Sequence, residues 1–447
     1  MRRIFEALAP RPAPRLVSGL ALGLAACLAL TACGGGAGGG TATGEASSAA
    51  PAENAENAEA AENATLTIWA DQKRSETLKP FADAFAKENG VKADIVVVAQ
   101  NQQQTFVTAS QAGKGPDVLV GAHDWIGNLV QNGLIDPIQM PRDQLDGYVD
   151  VARSAVTYDG QVYGVPYAVE NLALYRNTDL APEAPKTFDE LVATGAKLKA
   201  AGEVKEIVGY PISQQDGQSG DTYHMYPLYT SGGGHLFGTT PNGDPDPADL
   251  GVGTPESIAA FERVAEFGEK GAGALKRSLT SDNSAALFAE GKTAFMVSGP
   301  WRLADVRTAG VKYDVTPVPG FKGGGPARSF VGVQAFFVAS KGRNKALAQE
   351  FVTNTLASPE VSQALFDAEP RMPALKSALA YASAKDPDVA KFEAAAENGV
   401  PLPAIPQMVA VWGPFNTLIH AVVKGEKVAP AVKAAGRAIA EQLGRTG

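Results

Sequence analysis

Leu66-Thr67-Ile68-Trp69-Ala70 opens the folded part of this chain, and the residues from there to Gly121 decide the fold. The pentapeptide is short and apolar and reads as a buried strand. Beyond it, Leu78, Phe81, Ala82 and Phe85 recur at helical spacing, and Asn89-Gly90 supplies a stop. Asp94 to Ala99, rich in valine, predicts a second strand. Gln102 to Gln111 predicts a helix ended by Gly113, and Val118 to Gly121 a third strand. Strand, helix, strand, helix, strand is an α/β pattern whose crossovers pair the strands in parallel.

The pattern resumes further on. Thr187-Phe188-Asp189-Glu190 is a capping box opening a helix that stops at Gly202. Thr254-Pro255 opens another, with Ile258, Phe261, Val264 and Ala265 on one face and Gly271 closing it. Ala286 to Gly291 predicts a short helix, Thr293 to Val297 a strand, and Ser358-Pro359 one more helix start. Pro241, Gly243, Pro245, Pro247 and Gly251 mark 239–253 as a surface loop. Such units over roughly 380 residues exceed one ordinary core, so two lobes are expected.

In the other direction lies a tether. Gly34 to Gly40 is almost pure glycine, and Ala52 to Ala64 repeats Ala-Glu-Asn units with no apolar face, so 33–64 reads as a flexible linker. Before it come Arg2, Arg3, Arg11 and Arg15, an apolar run, then Leu30-Thr31-Ala32-Cys33. A charged start, an apolar middle and a small-residue exit make 1–32 a secretory signal. Leu-x-small-Cys resembles the bacterial lipobox, which implies lipidation at Cys33 and a location on the extracellular or periplasmic face of a cell membrane. The other cysteine, Cys27, leaves with the signal, so the exported body has no thiol and no disulfide.

Charge narrows the partners. The chain carries a net −9, and four Arg against one Glu give residues 1–32 a charge of +3, which leaves −12 for the rest. Dispersed acidity argues against nucleic acid or an anionic bilayer as the main partner. His123, His224, His235 and His420 stand in no zinc spacing, and neither a Gly-x-Ser-x-Gly elbow nor a Gly-x-x-x-x-Gly-Lys-Ser/Thr phosphate loop occurs. No metal, no cofactor and no catalytic role is therefore expected. A carboxylate pair for glycoside hydrolysis stays open on composition alone.

The tryptophans say more. Trp69, Trp125, Trp301 and Trp412 each lie beside a strand end, a turn or a Gly/Pro break. Open α/β sheets bind ligands outside the carboxyl ends of their strands. A sugar needs a flat aromatic face for its C–H groups and paired polar groups for its hydroxyls. Trp69 continues an apolar strand and reads as packing. Trp301 and Trp412 read as site residues, and Trp125 less strongly so.

Leu66-Thr67-Ile68-Trp69, Gly115-Pro116-Asp117 running into Ala122-His123-Asp124, Pro166-Tyr167-Ala168-Val169-Glu170, Gly291-Lys292-Thr293-Ala294 with Ser298-Gly299-Pro300-Trp301, Phe330-Val331-Gly332-Val333, and Ile405-Pro406-Gln407-Met408 with Trp412 follow one another in a familiar order. From Leu66 onward the chain resembles the maltose/maltodextrin-binding proteins of ABC sugar importers. The resemblance implies an α/β, two-lobed periplasmic-binding-protein fold with discontinuous domains joined by hinge strands: 66–169 plus 332–376, and 170–331 plus 377–447. It implies a monomer that captures an oligosaccharide, a maltodextrin or related α-glucoside, between its lobes and delivers it to a permease pair driven by a cytosolic ATPase. By the same resemblance Asp71, Lys73, Asp124 and Glu170 meet sugar hydroxyls, and Tyr223, Trp301 and Trp412 supply aromatic faces. Asp124 reads equally as a helix N-cap, and Arg302 as a surface cation or a cleft donor.

Departures from the family accompany the matches. Gly121 stands where a tryptophan precedes Ala-His-Asp, Trp125 replaces an arginine, Leu303 a second tryptophan and Asn416 an arginine, and the spacing around Asp71-Arg74 is shifted. The aromatic wall is rearranged, which opens the reading to another solute such as trehalose, a polyol or an amino sugar.

Overall fold

The computed structural model describes residues 64–241 and 244–446. The signal segment, Cys33 and nearly all of the linker lie outside the described residues.

The first strand, β1 (Thr65–Ala70), buries Leu66, Ile68 and Ala70 on one face. Helix α1 (Gln72–Glu88) follows, capped by the Asp71 carboxylate on the Arg74 N–H. Strand β2 (Lys92–Val97), helix α2 (Gln102–Gln111) and strand β3 (Val118–Ala122) complete the expected unit. β1 pairs in parallel with both β2 and β3. β2 begins two residues earlier than its valines suggested and forms the edge of the sheet, leaving Val96 and Val97 exposed.

Two further strands complete the spine. β4 (Val165–Asn171) is buried at every position, and β8 (Phe330–Ala339) at all but Gln334. β8 runs antiparallel to both β3 and β4. Central strands covered on both faces need such continuous apolar runs. A second, three-stranded sheet has β5 (Ala173–Asn177) between β6 (Phe295–Ser298) and β7 (Tyr313–Thr316), all antiparallel. The helix Phe188–Ala200 starts at the expected Thr187 cap, and helix Pro255–Phe267 at Thr254. The helix expected from Ala286 starts at Ser281, because Thr280 and Asn283 form a capping box. The 239–253 loop is corrected: Phe237–Thr239 and Pro245–Leu250 pair as a two-stranded ribbon. Its two prolines are tolerated because a ribbon strand has a free edge.

Packing sorts the apolar residues into two large cores and a small one. The first gathers Leu66, Ile68, Val118, Phe336 and Phe337, the second Leu174, Tyr210, Phe261, Phe295 and Phe415, and the third Tyr175, Phe288 and Leu303. Core membership changes between Val169 and Leu172 along the chain, and again between Phe330 and Val331. Ala378, Ala382 and Val389 pack in the first core, and Phe392 in the third. The fold is a two-lobed α/β solute-binding fold.

Gly-Pro-Asp117 is explained by this spine. Buried Asp117 accepts from Thr67 N–H at 2.9 Å, from Asn344 N–H at 2.7 Å and from Asn344 Nδ2 at 3.1 Å, so one carboxylate ties β1 to the segment leaving β8. Removing it takes the carboxylate from three part-buried donors. We expect Asp117→Ala to destabilise the protein by about 3 kcal/mol or more, measured by urea unfolding; a loss below about 1 kcal/mol would show that water replaces the carboxylate.

Candidate functional site

Glu170 sits near the end of β4, opposite Gly332 on β8, where the chain passes from one core to the other. A Cβ on Gly332 would lie 3.3 Å from the Glu170 Cγ and 3.7 Å from the Tyr223 hydroxyl. The carboxylate stem and the phenol therefore flank the same glycine. Gln334 Nε2 donates to Glu170 Oε1 at 2.9 Å, and Arg371 Nη1 pairs with Oε2. Arg371 also donates through Nε to Glu369 at 2.8 Å. Glu369 takes Arg74 Nη2 at 2.6 Å, and Arg74 in turn pairs with Asp71 at 3.2 Å. Asp71, Arg74, Glu369, Arg371 and Glu170 thus form a ladder of alternating charge from the start of α1 to the strand between the cores. Tyr167 Oη accepts from Arg74 Nε at 3.1 Å and braces it.

The aromatic groups come from the other core. Tyr223 lies on helix α3 (Thr222–Ser231), whose N-cap Asp221 also holds His224 Nδ1 at 2.8 Å. The Tyr223 hydroxyl is buried and has no hydrogen-bond partner among the described residues. Burial first, then the Glu170 charge, push its pKa well above the usual phenol value, so it remains a donor. Trp301 follows β6 in a short 3-10 turn, with its ring centroid 6.3 Å from that of Tyr223. The Arg371 guanidinium lies 5.7 Å from the Trp301 centroid, a cation–π contact between the two cores.

Trp125 and Trp301 are set by the same device. Each closes or lies within a 3-10 turn just past a strand, and each indole folds back over a glycine: Trp125 over Gly121, Trp301 over Gly299. A Cβ at either glycine would overlap ring atoms. Tyr175 Oη donates to the Gly299 carbonyl at 2.7 Å and fixes the second turn. The tryptophan missing at 121 is thus replaced in space by the ring of Trp125.

His123 and Asp124 share the first turn but differ in task. Val333 N–H donates to His123 Nδ1 at 3.0 Å, so Nε2 carries the proton and donates to the Leu402 carbonyl at 2.9 Å. Burial lowers the His123 pKa to about 4, against smaller opposing help from these bonds. The imidazole is a neutral structural link between β3, β8 and Leu402. Asp124 caps no helix, since the 3-10 turn has Ala122 at its N-cap without a side-chain bond. Burial, reinforced by the Glu170 charge and partly offset by its own N–H, pushes the Asp124 carboxyl up to about 7.

The remaining expected residues are more dispersed. Lys73 is exposed on α1 and makes no ion pair among the described residues. Trp412, on the helix Val409–Lys424, packs against the second core and, among the described residues, pairs with no other site ring. Arg302 is held by Asp282, by Asp305 at 3.2 Å and by Ser281 Oγ at 3.3 Å, apart from the Glu170 cluster. Arg371, Glu369, Arg74 and Gln334 had no signal in the sequence, because their partners lie far away along the chain. Among the described residues no three His, Cys, Asp or Glu are grouped to hold a metal ion, and no helix is long and apolar enough to cross a membrane.

Asp124 has a folded pKa above its unfolded one, so its contribution to stability is lost as pH rises from about 4 through about 7. Asp124→Asn should therefore be nearly neutral at pH 4 and stabilising by on the order of 3 kcal/mol at pH 8, read by urea unfolding across pH; a gain that does not vary with pH would remove burial as the cause. Gly121→Ala should displace the Trp125 ring, costing about 1–3 kcal/mol as overpacking and shifting indole emission. An unchanged spectrum would mean that the backbone yields instead.

Residues 81–397 match the family of bacterial extracellular solute-binding proteins. A galactooligosaccharide-binding protein of Bacillus subtilis (strain 168) is 28% identical over 400 residues, covering 85% of this chain and 89% of the relative. A maltooligosaccharide ABC transporter solute-binding lipoprotein of Streptococcus pneumoniae (strain ATCC BAA-255 / R6) is 30% identical over 374 residues, 81% of this chain and 84% of the relative. A maltotriose-binding protein of Pyrococcus abyssi (strain GE5 / Orsay) is 29% identical over 371 residues, 81% and 78%. With two α/β lobes and a polar, aromatic cluster where the chain passes between them, this chain belongs to the bacterial extracellular solute-binding proteins.

Proposed function

We propose that this protein is the substrate-capturing lipoprotein of an ABC importer, tethered to the outer face of a cell membrane through lipid on Cys33. Its ligand is a neutral oligosaccharide of the maltodextrin type. The two lobes close on the sugar by bending at the strands between the cores and hand it to a permease pair with its cytosolic ATPase. Lobe bounds of 66–169 with 332–376, and 170–331 with 377–447, serve this reading. The packing of Ala378, Ala382 and Val389 in the first core favours moving the last crossing to about residue 390.

The observation that carries the proposal is the unpartnered, buried Tyr223 hydroxyl set among Glu170, Arg371 and Trp301. A buried phenol without a partner costs about 1–3 kcal/mol, and a sugar hydroxyl would satisfy it. In this reading Glu170, Asp124 and Asp71 accept from hydroxyls, Trp301, Trp125 and Trp412 offer faces, Lys73 lies at the rim and Arg302 braces the Trp301 turn. Binding without catalysis is the fitting role. Both Glu170 oxygens are engaged, by Gln334 and Arg371, which suits a fixed acceptor better than a proton shuttle. The likeness to a galactooligosaccharide-binding protein favours, as a second reading, a sugar that is not an α-glucan.

A thermal-shift panel of maltose, maltotriose, maltodextrins, cyclodextrins, trehalose, sucrose, cellobiose and galactooligosaccharides tests this. A ligand at about 100 times its Kd adds about 2.7 kcal/mol to the folded state. Stabilisation by α-glucans alone supports the first reading, by galactosides the second, and by none of them overturns the sugar assignment; breakdown of any of them by the protein overturns binding without catalysis. Tyr223→Phe should raise the unliganded Tm while weakening sugar binding about tenfold. A variant with unaltered affinity would take the hydroxyl out of the site.

A further inference from the structure

Arg371 immediately precedes the short strand β9 (Met372–Pro373), which pairs with β4 so that Met372 faces Val169 and Pro373 faces Ala168. This register sets Arg371 alongside Glu170. Its Nη1 is committed to Glu170 and its Nε to Glu369, while Nη2 has no protein partner among the described residues. Two carboxylates on two edges hold a planar guanidinium rigidly, and the third edge remains for another acceptor. The side chain is only 13% exposed, so this is not a solvated surface cation. It also approaches the Trp301 ring of the opposite core.

We infer that Arg371 contacts the ligand directly, as the hydrogen-bond donor that sits beside the Glu170 acceptor and over the Trp301 platform; this rests on the sugar reading of the same cleft. Each hydroxyl of a vicinal diol both donates and accepts. A guanidinium fixed next to a carboxylate presents one donor and one acceptor side by side, and an adjacent indole face takes the C–H surface of the ring. The ligand class is therefore a neutral sugar with a free vicinal diol. The ladder of Asp71, Arg74, Glu369, Arg371 and Glu170 holds three carboxylates against two guanidiniums, which leaves no uncompensated cation for an anionic sugar.

Calorimetric titration of the wild type, Arg371→Lys and Arg371→Met with maltotriose and with galactosyl-lactose tests the inference, with circular dichroism and Tm as controls. Lys keeps the charge beside Glu170 but cannot also reach Glu369 and present a third edge. Both variants should bind at least tenfold more weakly, about 1.4 kcal/mol, while staying folded. The Arg371→Lys, Trp301→Phe double variant should lose less than the product of the two single losses, because both act on one sugar ring. Wild-type affinity, within twofold, in Arg371→Lys overturns the inference and leaves the sugar reading standing. If Arg371→Met fails to fold, Arg371→Lys decides. Absence of binding by the wild type to either probe overturns both.

Discussion

The cleft depends on the antiparallel pairing of Val165–Asn171 with Phe330–Ala339. These two strands carry the chain from one core to the other within two or three residues, and Glu170 and Gly332 face each other at that passage. A Cβ at 332 would lie 3.3 Å from the Glu170 stem, so even alanine would shift that stem by a few tenths of an ångström, and the Tyr223 hydroxyl at 3.7 Å would be in van der Waals contact with it. The same pairing seats Gln334 and, through β9, Arg371, so the polar groups of the cleft inherit their positions from backbone hydrogen bonds.

Those groups are held at a cost. A buried guanidinium or carboxylate must recover its lost hydration from partners, and the ladder does so link by link, with each inner member touching two opposite charges. Around the ladder three polar groups lack a full set of side-chain partners among the described residues: the Nη2 edge of Arg371, the Tyr223 hydroxyl and the Asp124 carboxyl raised by burial. Incomplete satisfaction in an otherwise complete network is where a polar ligand gains most, because its hydroxyls replace missing partners rather than existing ones.

Much of this was legible in the sequence, for a physical reason. The parallel β1–β2–β3 unit, the Thr187, Thr254 and Ser358 caps and the aromatic residues at strand ends are local signals, written within a few residues. Glu170, Tyr223 and Trp301 followed from family likeness and do converge. The rest is non-local. Arg371 meets Glu170 across 201 positions, and nothing near Pro370-Arg371-Met372 marks it as different from a surface arginine. Asp124 offered a capping role on local grounds, but the turn forms around Ala122 instead, which leaves the carboxyl turned towards burial. The short helix at Ser281 was misplaced because its box uses Asn283 rather than Glu or Gln.

The first turn sets a buried imidazole beside a carboxyl raised by burial, and the two have opposite pH dependences. His123 has a folded pKa below its unfolded value, so it costs stability as pH falls from about 6.5 through about 4. Asp124 costs stability as pH rises through nearly the same window. The two slopes oppose each other across mildly acidic pH, so neighbouring residues on one 3-10 turn flatten the dependence that either would impose alone. Their roles stay separate because their bonds do: both His123 nitrogens are consumed by the backbone of Val333 and Leu402, whereas no side-chain partner among the described residues holds Asp124. The histidine fixes the turn, while the aspartate beside it keeps its carboxyl oxygens clear of other side chains among the described residues.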